Sequence, residues 1–345
     1  MKQESGDNSE NVQIGGNVNI GVTAAEARQI AIDVFKANFY TFSEKAAKKA
    51  LERAEELTDE FIAKFYVKIP ELESKLQEPS VQSSMFNTQK EYAKSGDSEL
   101  KEQLLNILIE RINSEERSLK QIVLDEVLTI LPKLTKEQIN VMTLIFSAVY
   151  INHNTIVNIP TFIEFIENRI LVFYPNTPPS YSFYTHLQFT GCCTILSEGS
   201  SYKPLEQIFK VRYKALISKG FTEEELNQEF RDDKNRLAPL LMKCFQNPIA
   251  LQFNPLNDEV FNSKIDELDL GEIGKKALNF QNKNLLNDQE IKEFMIKCNP
   301  RIEKLLTDWK EKDFKTIRPT SVGLAIAIMN YNRVTKENIA FETFI

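Results

Sequence analysis

Apolar residues recur at three- and four-residue steps along most of this chain, which is the spacing of helices that bury one face. The clearest stripe begins after Ser43 and ends before Pro70, and charges of alternating sign occupy its opposite side, as is typical of a solvated face. The members of the stripe are Ala47, Ala50, Leu51, Ala54, Leu57, Phe61, Ile62 and Phe65. We therefore predict that residues 23–70 are almost entirely helical and that the stripe faces protein at Ala47, Ala50, Leu51, Ala54 and Leu57.

Capping boxes mark several helix starts, because a Thr side chain and an acidic or Gln side chain three residues later can satisfy free backbone N–H groups. They begin at Thr23, Thr135 and Thr222. The apolar spacing predicts further helices near 100–112, 118–130, 139–150, 161–173, 182–197, 204–218, 223–231, 236–246, 287–298, 300–310 and 321–331. Residues 79–97 form a polar stretch, and 247–287 show no clear period. With 11 Gly and 13 Pro in 345 residues, turn residues are scarce, and the predicted fold class is mainly α.

Three segments are predicted. Residues 1–22 form a β-forming assembly segment, 23–175 a helical domain, and 181–345 a second helical domain, since Asn176-Thr-Pro-Pro-Ser180 is the clearest linker. A short strand is expected near 314–318. The order helix, helix, strand, helix at the C-terminal end is compatible with a small winged-helix-like part.

The N-terminal segment contains one hexad twice, Asn11-Val-Gln-Ile-Gly-Gly16 and Asn17-Val-Asn-Ile-Gly-Val22. Val12, Ile14, Val18 and Ile20 share one face if each unit is extended. A hairpin that turns at Gly15-Gly16 fits this pattern, as does one side of a β-helix built from several chains. A lone hairpin is marginal in water, so either geometry requires a partner surface. The alternative is a disordered polar tail.

Charge and composition restrict the function classes. The net charge is −7, which disfavours a phosphate grip over the whole protein. The polar start resembles no signal peptide, and no apolar run reaches the roughly 18 residues of a spanning helix, so we expect a cytoplasmic protein. The two His and four Cys show no metal-binding spacing, and we expect no cofactor, although carboxylates alone can hold Mg²⁺ or Ca²⁺.

We find no convincing catalytic centre in the sequence. His186 with Cys192 or Cys193 is the one tempting set, but on a single helix a six-residue separation places the side chains on opposed sides. Acidic pairs lie in helix starts or loops, where solvation and the helix dipole explain them. We therefore expect a protein that is not an enzyme. Residues 283–337 contain 11 basic and 8 acidic residues, a weak sign of nucleic-acid contact, and we expect Arg318 and Arg333 to hold local carboxylates.

One stretch, from Glu78 to Phe146, resembles a known family. It reads Glu-Pro-Ser-Val-Gln at 78–82, Asp-Ser-Glu-Leu-Lys-Glu-Gln-Leu-Leu at 97–105, Gln-Ile-Val at 121–123 and Leu-Pro-Lys-Leu-Thr-Lys-Glu-Gln at 131–138. These segments look like the proline-led helix, the acidic-Leu helix and the Leu-Thr helix start of the bacterial abortive-infection alpha family. The prefix Ser5-Gly-Asp-Asn-Ser9 with its hexads is similar to prefixes of bacterial defence proteins, and 320–327 resembles the end of uncharacterised relatives.

The resemblance implies phage defence through growth arrest or death of the infected cell, and it carries over no active-site residue. The resulting hypothesis is a self-assembling antiviral protein, a homo-oligomer that acts by binding, with a phage protein as the expected trigger. One alternative is an effector that disrupts a membrane surface with amphipathic helices such as 43–69. Another is a regulator that binds nucleic acid through the C-terminal region, which the acidic chain makes less favoured. An enzyme with an unfamiliar site is the third.

Overall fold

A computed structural model describes residues 24–38, 43–65, 75–177, 179–311 and 313–345. These residues contain fifteen α-helices and two small two-stranded sheets, which confirms the predicted mainly α fold. The chain divides into two compact units, one that ends at Glu116 and one from Arg117 to Ile345. The hexads with Val12, Ile14, Val18 and Ile20 lie outside the described residues.

The first unit contains four described helices: α1 (Ala24–Asn38), α2 (Glu44–Phe65), α3 (Pro79–Ser95) and α4 (Ser98–Asn113). Helix α2 packs against α1 and α3, and α3 packs against α4. Ala50, Ala54, Leu57 and Phe61 of the predicted stripe are buried, while Ala47 and Leu51 are half-buried. The stripe therefore faces protein, as predicted. Of residues 23–70, the structure shows helix in 24–38 and 44–65.

Buried polar groups join the helices of the first unit. The Gln89 side chain is fully buried and donates to the Ala31 carbonyl oxygen at 3.2 Å and to Thr58 Oγ1 at 2.9 Å, which links α3 to α1 and α2. Lys101 of α4 pairs with Glu56 at 2.6 Å and with Glu60 at 2.7 Å on α2. The Lys101 hydrogen bond holds the pKa of Glu56 below its usual range. These contacts fix how the helices are rotated against one another.

The polar stretch at 79–97 is a helix, α3, for most of its length. Pro79 lies in its first turn, where the missing N–H costs nothing. Gly96 ends α3 at φ 66°, and Arg53 donates to the carbonyl oxygen of Ala93 at 2.9 Å. The backbone angle favours glycine, and a Cβ at Gly96 would lie 2.1 Å from Arg53 Nη2 and so would displace the Arg53 guanidinium.

The second unit is larger, and its helices alternate with short irregular segments. It contains α5 (Leu119–Ile130), α6 (Lys136–Ile145), α7 (Ile159–Phe165), α8 (Tyr181–Phe189), α9 (Leu205–Arg212), α10 (Glu223–Phe230), α11 (Asp258–Glu267), α12 (Gly271–Lys283), α13 (Asp288–Cys298), α14 (Ile302–Glu311) and α15 (Ser321–Thr335). Two π-helical turns continue α6 and α7, at Phe146–Tyr150 and Ile166–Ile170. Helix α15 packs against α5 and α6 and is buried from 323 to 331.

Four strands form two antiparallel pairs. Strand β1 (Cys193–Ile195) pairs with β4 (Ile317–Pro319), and β2 (Leu241–Lys243) pairs with β3 (Leu251–Phe253). The predicted helices at 182–197 and 236–246 are therefore wrong in their second halves, which are strands β1 and β2. The strand expected near 314–318 is β4, shifted toward the C-terminus. Its partner β1 lies more than a hundred residues earlier, so the described residues from 283 onward lack the hairpin of a winged helix.

The linker expected at 176–180 does not coincide with the division between the two compact units. Strand pairing between β1 and β4, and the packing of α15 on α6, join residues on both sides of 176–180 within the second unit. Residues 221–277, most of them from the stretch that shows no clear period, have a core of their own. Its buried members are Phe221, Leu226, Phe230, Leu237, Leu240, Phe253, Phe261, Ile265, Leu270 and Ala277.

Membrane crossing needs a helix that is both long and apolar. Within the described residues, no helix meets both conditions. The amphipathic helix α2 directs its apolar stripe at α1 and α3.

Replacing Leu57 with Ala tests the packing of the first unit. Leu57 is fully buried, so the substitution removes apolar contact and leaves a cavity. We expect the free energy of unfolding to fall by about 2–5 kcal/mol, measured by urea denaturation with circular dichroism. Glu52→Ala, on the exposed side of α2, is the control and should change stability by less than about 0.5 kcal/mol. Equal effects of the two substitutions would contradict a buried stripe.

Candidate functional site

The second unit contains a cavity of about 230 Å³. It lies between the loop that precedes α7 and the face of α7 with its π-helical continuation. Its lining residues come from one stretch of chain and are His153, Thr155, Ile156, Thr161, Glu164, Phe165 and Arg169. Arg169, in the second π turn, lines the cavity, and the first π turn ends three residues before His153. Because π turns are rare and recur at functional sites, this cavity is the candidate site.

The start of α7 is fixed by a capping box that also orients the lining residues. The Asn158 side chain accepts from the Thr161 backbone N–H at 2.9 Å, and Thr161 Oγ1 accepts from the Asn158 backbone N–H at 3.1 Å. Pro160 lies in the first turn, where its fixed φ suits the helix. This local chemistry positions Glu164 and Phe165 one turn later.

His153 is the most unusual group of the site. It is 7% exposed, and its Nε2 is buried without a hydrogen-bond partner among the described atoms. Its ring lies 4.8 Å from the Phe165 ring and 6.2 Å from the Tyr331 ring, between centroids. Burial lowers the pKa of His153 to about 4, against the opposing effect of Glu337. The imidazole is therefore neutral at pH 7.

Arg169 connects the cavity to the C-terminal end of the chain. Its Nε and Nη2 atoms both lie 2.5 Å from Glu337 Oε1, and Glu337 Oε2 accepts from the Tyr331 hydroxyl at 3.0 Å. The Ser147 hydroxyl donates to the Arg169 carbonyl oxygen at 2.6 Å. That bond joins the first π turn to the second.

The loop that carries His153 is held by Arg212 of α9. Its guanidinium donates to the carbonyl oxygens of Ala148 at 2.7 Å, of Ile151 at 2.9 Å and of Val149. These carbonyls end the first π turn, so Arg212 satisfies the acceptors that a helix leaves free at its C-terminus. Burial lowers the pKa of Arg212. The guanidinium charge interacts with backbone carbonyl oxygens, and these bonds fix the backbone just before His153.

The thiols and His186 do not form a catalytic pair in the structure. Cys192 and Cys193 lie beyond α8, at the start of β1, rather than on one helix with His186. His186 Nδ1 lies 3.0 Å from Gln138 Nε2, and the Thr190 hydroxyl donates to Cys192 Sγ at 3.4 Å. Burial raises the pKa of Cys193 to about 12, so that thiol stays protonated rather than nucleophilic.

Metal ligands are also not grouped in the described part of the chain, where no cluster of three or more His, Cys, Asp or Glu side chains occurs. In the sequence His153 stands out only as a potential metal ligand, and no sequence pattern selects Glu164, Arg169 or Glu337. Of these groups, only the α7 start carries a local sequence signal, the Asn158-Ile-Pro-Thr161 cap.

The pH dependence of stability tests the state of His153. Its pKa is about 4 in the folded protein and about 6.5 in an unfolded chain. As the pH falls, the unfolded chain therefore binds the extra proton before the folded protein does. The contribution of neutral His153 to the free energy of unfolding is complete above pH 6.5 and is lost as the pH falls toward 4. This separation is equivalent to about 3 kcal/mol.

Removing the imidazole should remove that part of the pH dependence. The free energy of unfolding is measured by urea denaturation at neutral pH and near pH 4. Between these two pH values, the His153→Phe protein should lose about 3 kcal/mol less of it than the wild type does. His186→Gln, at the chain's other histidine, serves as the control and should keep the wild-type difference. A His153→Phe protein with the wild-type pH dependence would show that His153 is not buried in its neutral form.

Comparison with known proteins identifies a family but no relative of known function. No curated protein and no solved structure matches the chain at a significant level. The model of one protein family, described only as "-like" and uncharacterised, matches residues 21–345. That match spans nearly the whole chain and both compact units, and it begins near the end of the hexads. The chain belongs to this uncharacterised family.

Proposed function

We propose that this chain is a self-assembling antiviral defence protein of the abortive-infection type, which acts in the bacterial cytoplasm by binding and assembly rather than by catalysis. The proposal that the protein does not act by catalysis is supported by the placement of its most plausible nucleophiles. Cys192 and Cys193 are buried, burial raises the pKa of both thiols, and the neighbouring His186 contacts Gln138. A nucleophile requires the opposite arrangement, with an accessible thiolate beside a base.

A binding role is supported by the surface of α8. Phe189 is 87% exposed and Tyr181 is 74% exposed, eight residues apart on one helix. Aromatic side chains are enriched in protein interfaces, because they bury a large area with few rotatable bonds. Contact with another protein is the use that this surface fits best.

The membrane-disrupting alternative depends on an apolar helix face that is open to solvent or to a partner. In α2 that face contains Ala54, Leu57 and Phe61, each of which is 0% exposed. Presenting them to a lipid surface would first require the core of the first unit to open, and each large side chain contributes roughly 1.5–3 kcal/mol when buried. The packing therefore favours a structural role for α2.

The nucleic-acid alternative requires a cluster of unpaired basic side chains at the C-terminal end. Arg301 instead pairs with Glu167 at 2.6 Å, and Arg333 donates to Asn330 Oδ1 at 2.9 Å. Lys304 donates to the Asn176 carbonyl oxygen at 3.2 Å. These three basic side chains are partnered within the chain, which does not favour binding to a phosphate backbone.

Assembly is tested by the mass of the purified protein in solution. Changing Val12, Ile14, Val18 and Ile20 together to Ser removes an apolar row whose members contribute roughly 1.5–3 kcal/mol each when buried between copies. We expect a smaller oligomer by light scattering and nearly unchanged helical content by circular dichroism. We also expect cells that carry the variant to lose protection against phage in a plaque assay.

Two controls separate the hexads from other contacts. Replacing Gln3, Glu4, Asn8 and Glu10 with Ser changes the same number of residues outside the hexads and should leave the mass unchanged. A Tyr181→Ser, Phe189→Ser variant tests whether α8 is the assembly surface instead. If the hexad variant keeps the wild-type mass, the segment is a tail, and assembly through it is refuted. If it dissociates and still protects cells, defence does not depend on assembly.

A further inference from the structure

We propose that the exposed face of α8 binds the same face of a second copy of this chain, with the two helices antiparallel about a two-fold axis at Thr185. This proposal rests on the proposed assembly function and names the partner of the α8 surface. The contact is separate from the hexads, so either contact can fail without the other. Three observations support it: the order of the side chains on this face, the lack of charge around α8 and the aromatic area that the face can bury.

The rotation of α8 is fixed by the packing of its inner face. Tyr184 and Leu187 are buried, and the Tyr184 ring lies 6.2 Å from the Phe314 ring, between centroids. The Gln138 amide donates to the Phe183 carbonyl oxygen at 3.1 Å, which joins α8 to α6. The helix therefore presents its opposite face to solvent in one rotation, and little has to be ordered when that face binds a partner.

The side chains of the outer face follow nearly the same order in both directions from its centre. At about 100° per residue the face is centred on Thr185, with Tyr181 four residues before it and Phe189 four residues after it. Ser182 and Gln188 lie three residues before and after the same centre. An antiparallel pair with its two-fold axis at Thr185 therefore brings Tyr181 of one copy to Phe189 of the other. The same symmetry brings Ser182 to Gln188.

The side chains that would meet are complementary. Tyr181 is 74% exposed and Phe189 is 87% exposed, and aromatic rings attract one another in tilted or offset arrangements. Gln188 and Ser182 are also exposed, and an amide and a hydroxyl can each donate and accept a hydrogen bond. Thr185, at the centre, is small enough for the two helices to approach closely. The face therefore fits a copy of itself twice over, once on each side of the axis.

The lack of charge around α8 favours a second copy as the partner. Residues 170–197 contain no Asp, Glu, Lys or Arg, whereas roughly seven would be expected in 28 residues of a chain that is 26% charged. The chain's other long uncharged run, 138–163, includes the buried helix α6. Copies with a net charge of −7 repel one another, and a two-fold contact brings like charges together near its axis. An uncharged face avoids that repulsion.

The same observations disfavour other partners. A phosphate backbone or an anionic membrane surface is bound through Lys and Arg, which α8 and its flanking segments lack. A partner that is selected by its charge requires complementary charges on this face. An unrelated, uncharged protein would leave the symmetric order of the side chains about Thr185 without a cause.

The aromatic area indicates a weak contact. An aromatic side chain buries about 150–250 Å² when it is removed from water, so two from each copy give roughly 600–1,000 Å² in total. The side chains between them add to this area, and specific interfaces usually bury about 1,200–2,000 Å². A two-fold contact by itself closes a dimer and goes no further. The α8 contact is therefore expected to form a dissociable dimer, which a second contact such as the hexads can join into a larger assembly.

Sedimentation equilibrium tests the contact in the full-length hexad variant, in which the hexads no longer associate. We expect a monomer and a dimer in exchange, with the dimer increasing up to roughly 1 mM protein. Adding Tyr181→Ser and Phe189→Ser should weaken the dimer by at least about tenfold, because these rings form the centre of the contact. Adding Val157→Ser and Ile249→Ser instead changes two exposed apolar residues outside α8 and should leave the dimer unchanged. Circular dichroism checks that each variant keeps its helical content.

Disulfide formation tests the register of the two helices. Thr185→Cys places one thiol at the two-fold axis, where packed helices bring the two Cα atoms within the roughly 7 Å that a disulfide spans. We expect a disulfide-linked dimer on a non-reducing gel after oxidation by air with copper phenanthroline. Ser180→Cys is the control, because the two copies of residue 180 would lie roughly 15 Å apart along the helices. Both variants also carry Cys298→Ser, since the other three native thiols are buried.

The outcomes separate this contact from assembly through the hexads. The α8 contact is overturned if the hexad variant is monomeric at every concentration, and assembly through the hexads then still stands. It is also overturned if the Val157→Ser, Ile249→Ser changes weaken the dimer as much as the α8 changes do, or if Ser180→Cys cross-links as readily as Thr185→Cys. If the wild type and the hexad variant form the same dimer and only the α8 changes dissociate it, the α8 contact is supported and assembly through the hexads is refuted.

Discussion

The second unit depends on the burial of α15. Its residues from 323 to 331 are buried on every side, so the helix needs neighbours all round rather than along one stripe. Gly323 sets the closest approach, since a Cβ there would lie 2.0 Å from the Cys192 carbonyl oxygen. The Thr320 hydroxyl donates to the Gly191 carbonyl oxygen at 2.6 Å and caps α15. These contacts bring β1 next to β4 and thereby fold residues 190–195 against the C-terminal end.

One polar side chain in this apolar helix fixes its rotation. Asn330 is fully buried and donates to Thr143 Oγ1 at 2.9 Å and to Asn140 Oδ1 at 3.1 Å on α6. A buried amide without partners would cost about 1–3 kcal/mol, so α15 is held at the rotation that satisfies it. The next residue, Tyr331, donates its hydroxyl hydrogen bond to Glu337 Oε2 at 3.0 Å. The geometry of the candidate site therefore follows from the packing of α15.

The structural features that the sequence predicts well are those that residues close together in the chain determine. The boxes at Thr135 and Thr222 start α6 and α10 where expected, because both partners lie within four residues. Strand β1 was missed because its pairing with β4 is set by residues more than a hundred positions away. Helix α3 was missed for another reason. Its buried face includes Ser84, Thr88 and Gln89, so the apolar period is weak although the helix is packed.

The candidate site shows the same division between local and distant causes. The cap at Asn158 was readable, but the pairing of Arg169 with Glu337 joins residues that no spacing rule connects. Departures from ordinary packing also concentrate there. One π turn supplies Arg169 to the cavity, the other ends three residues before His153, and His153 Nε2 lacks a hydrogen-bond partner among the described atoms. Each departure costs stability, and sequences commonly retain such costs where binding requires them. The buried packing of α15 against α5 and α6 offsets such costs within the same unit.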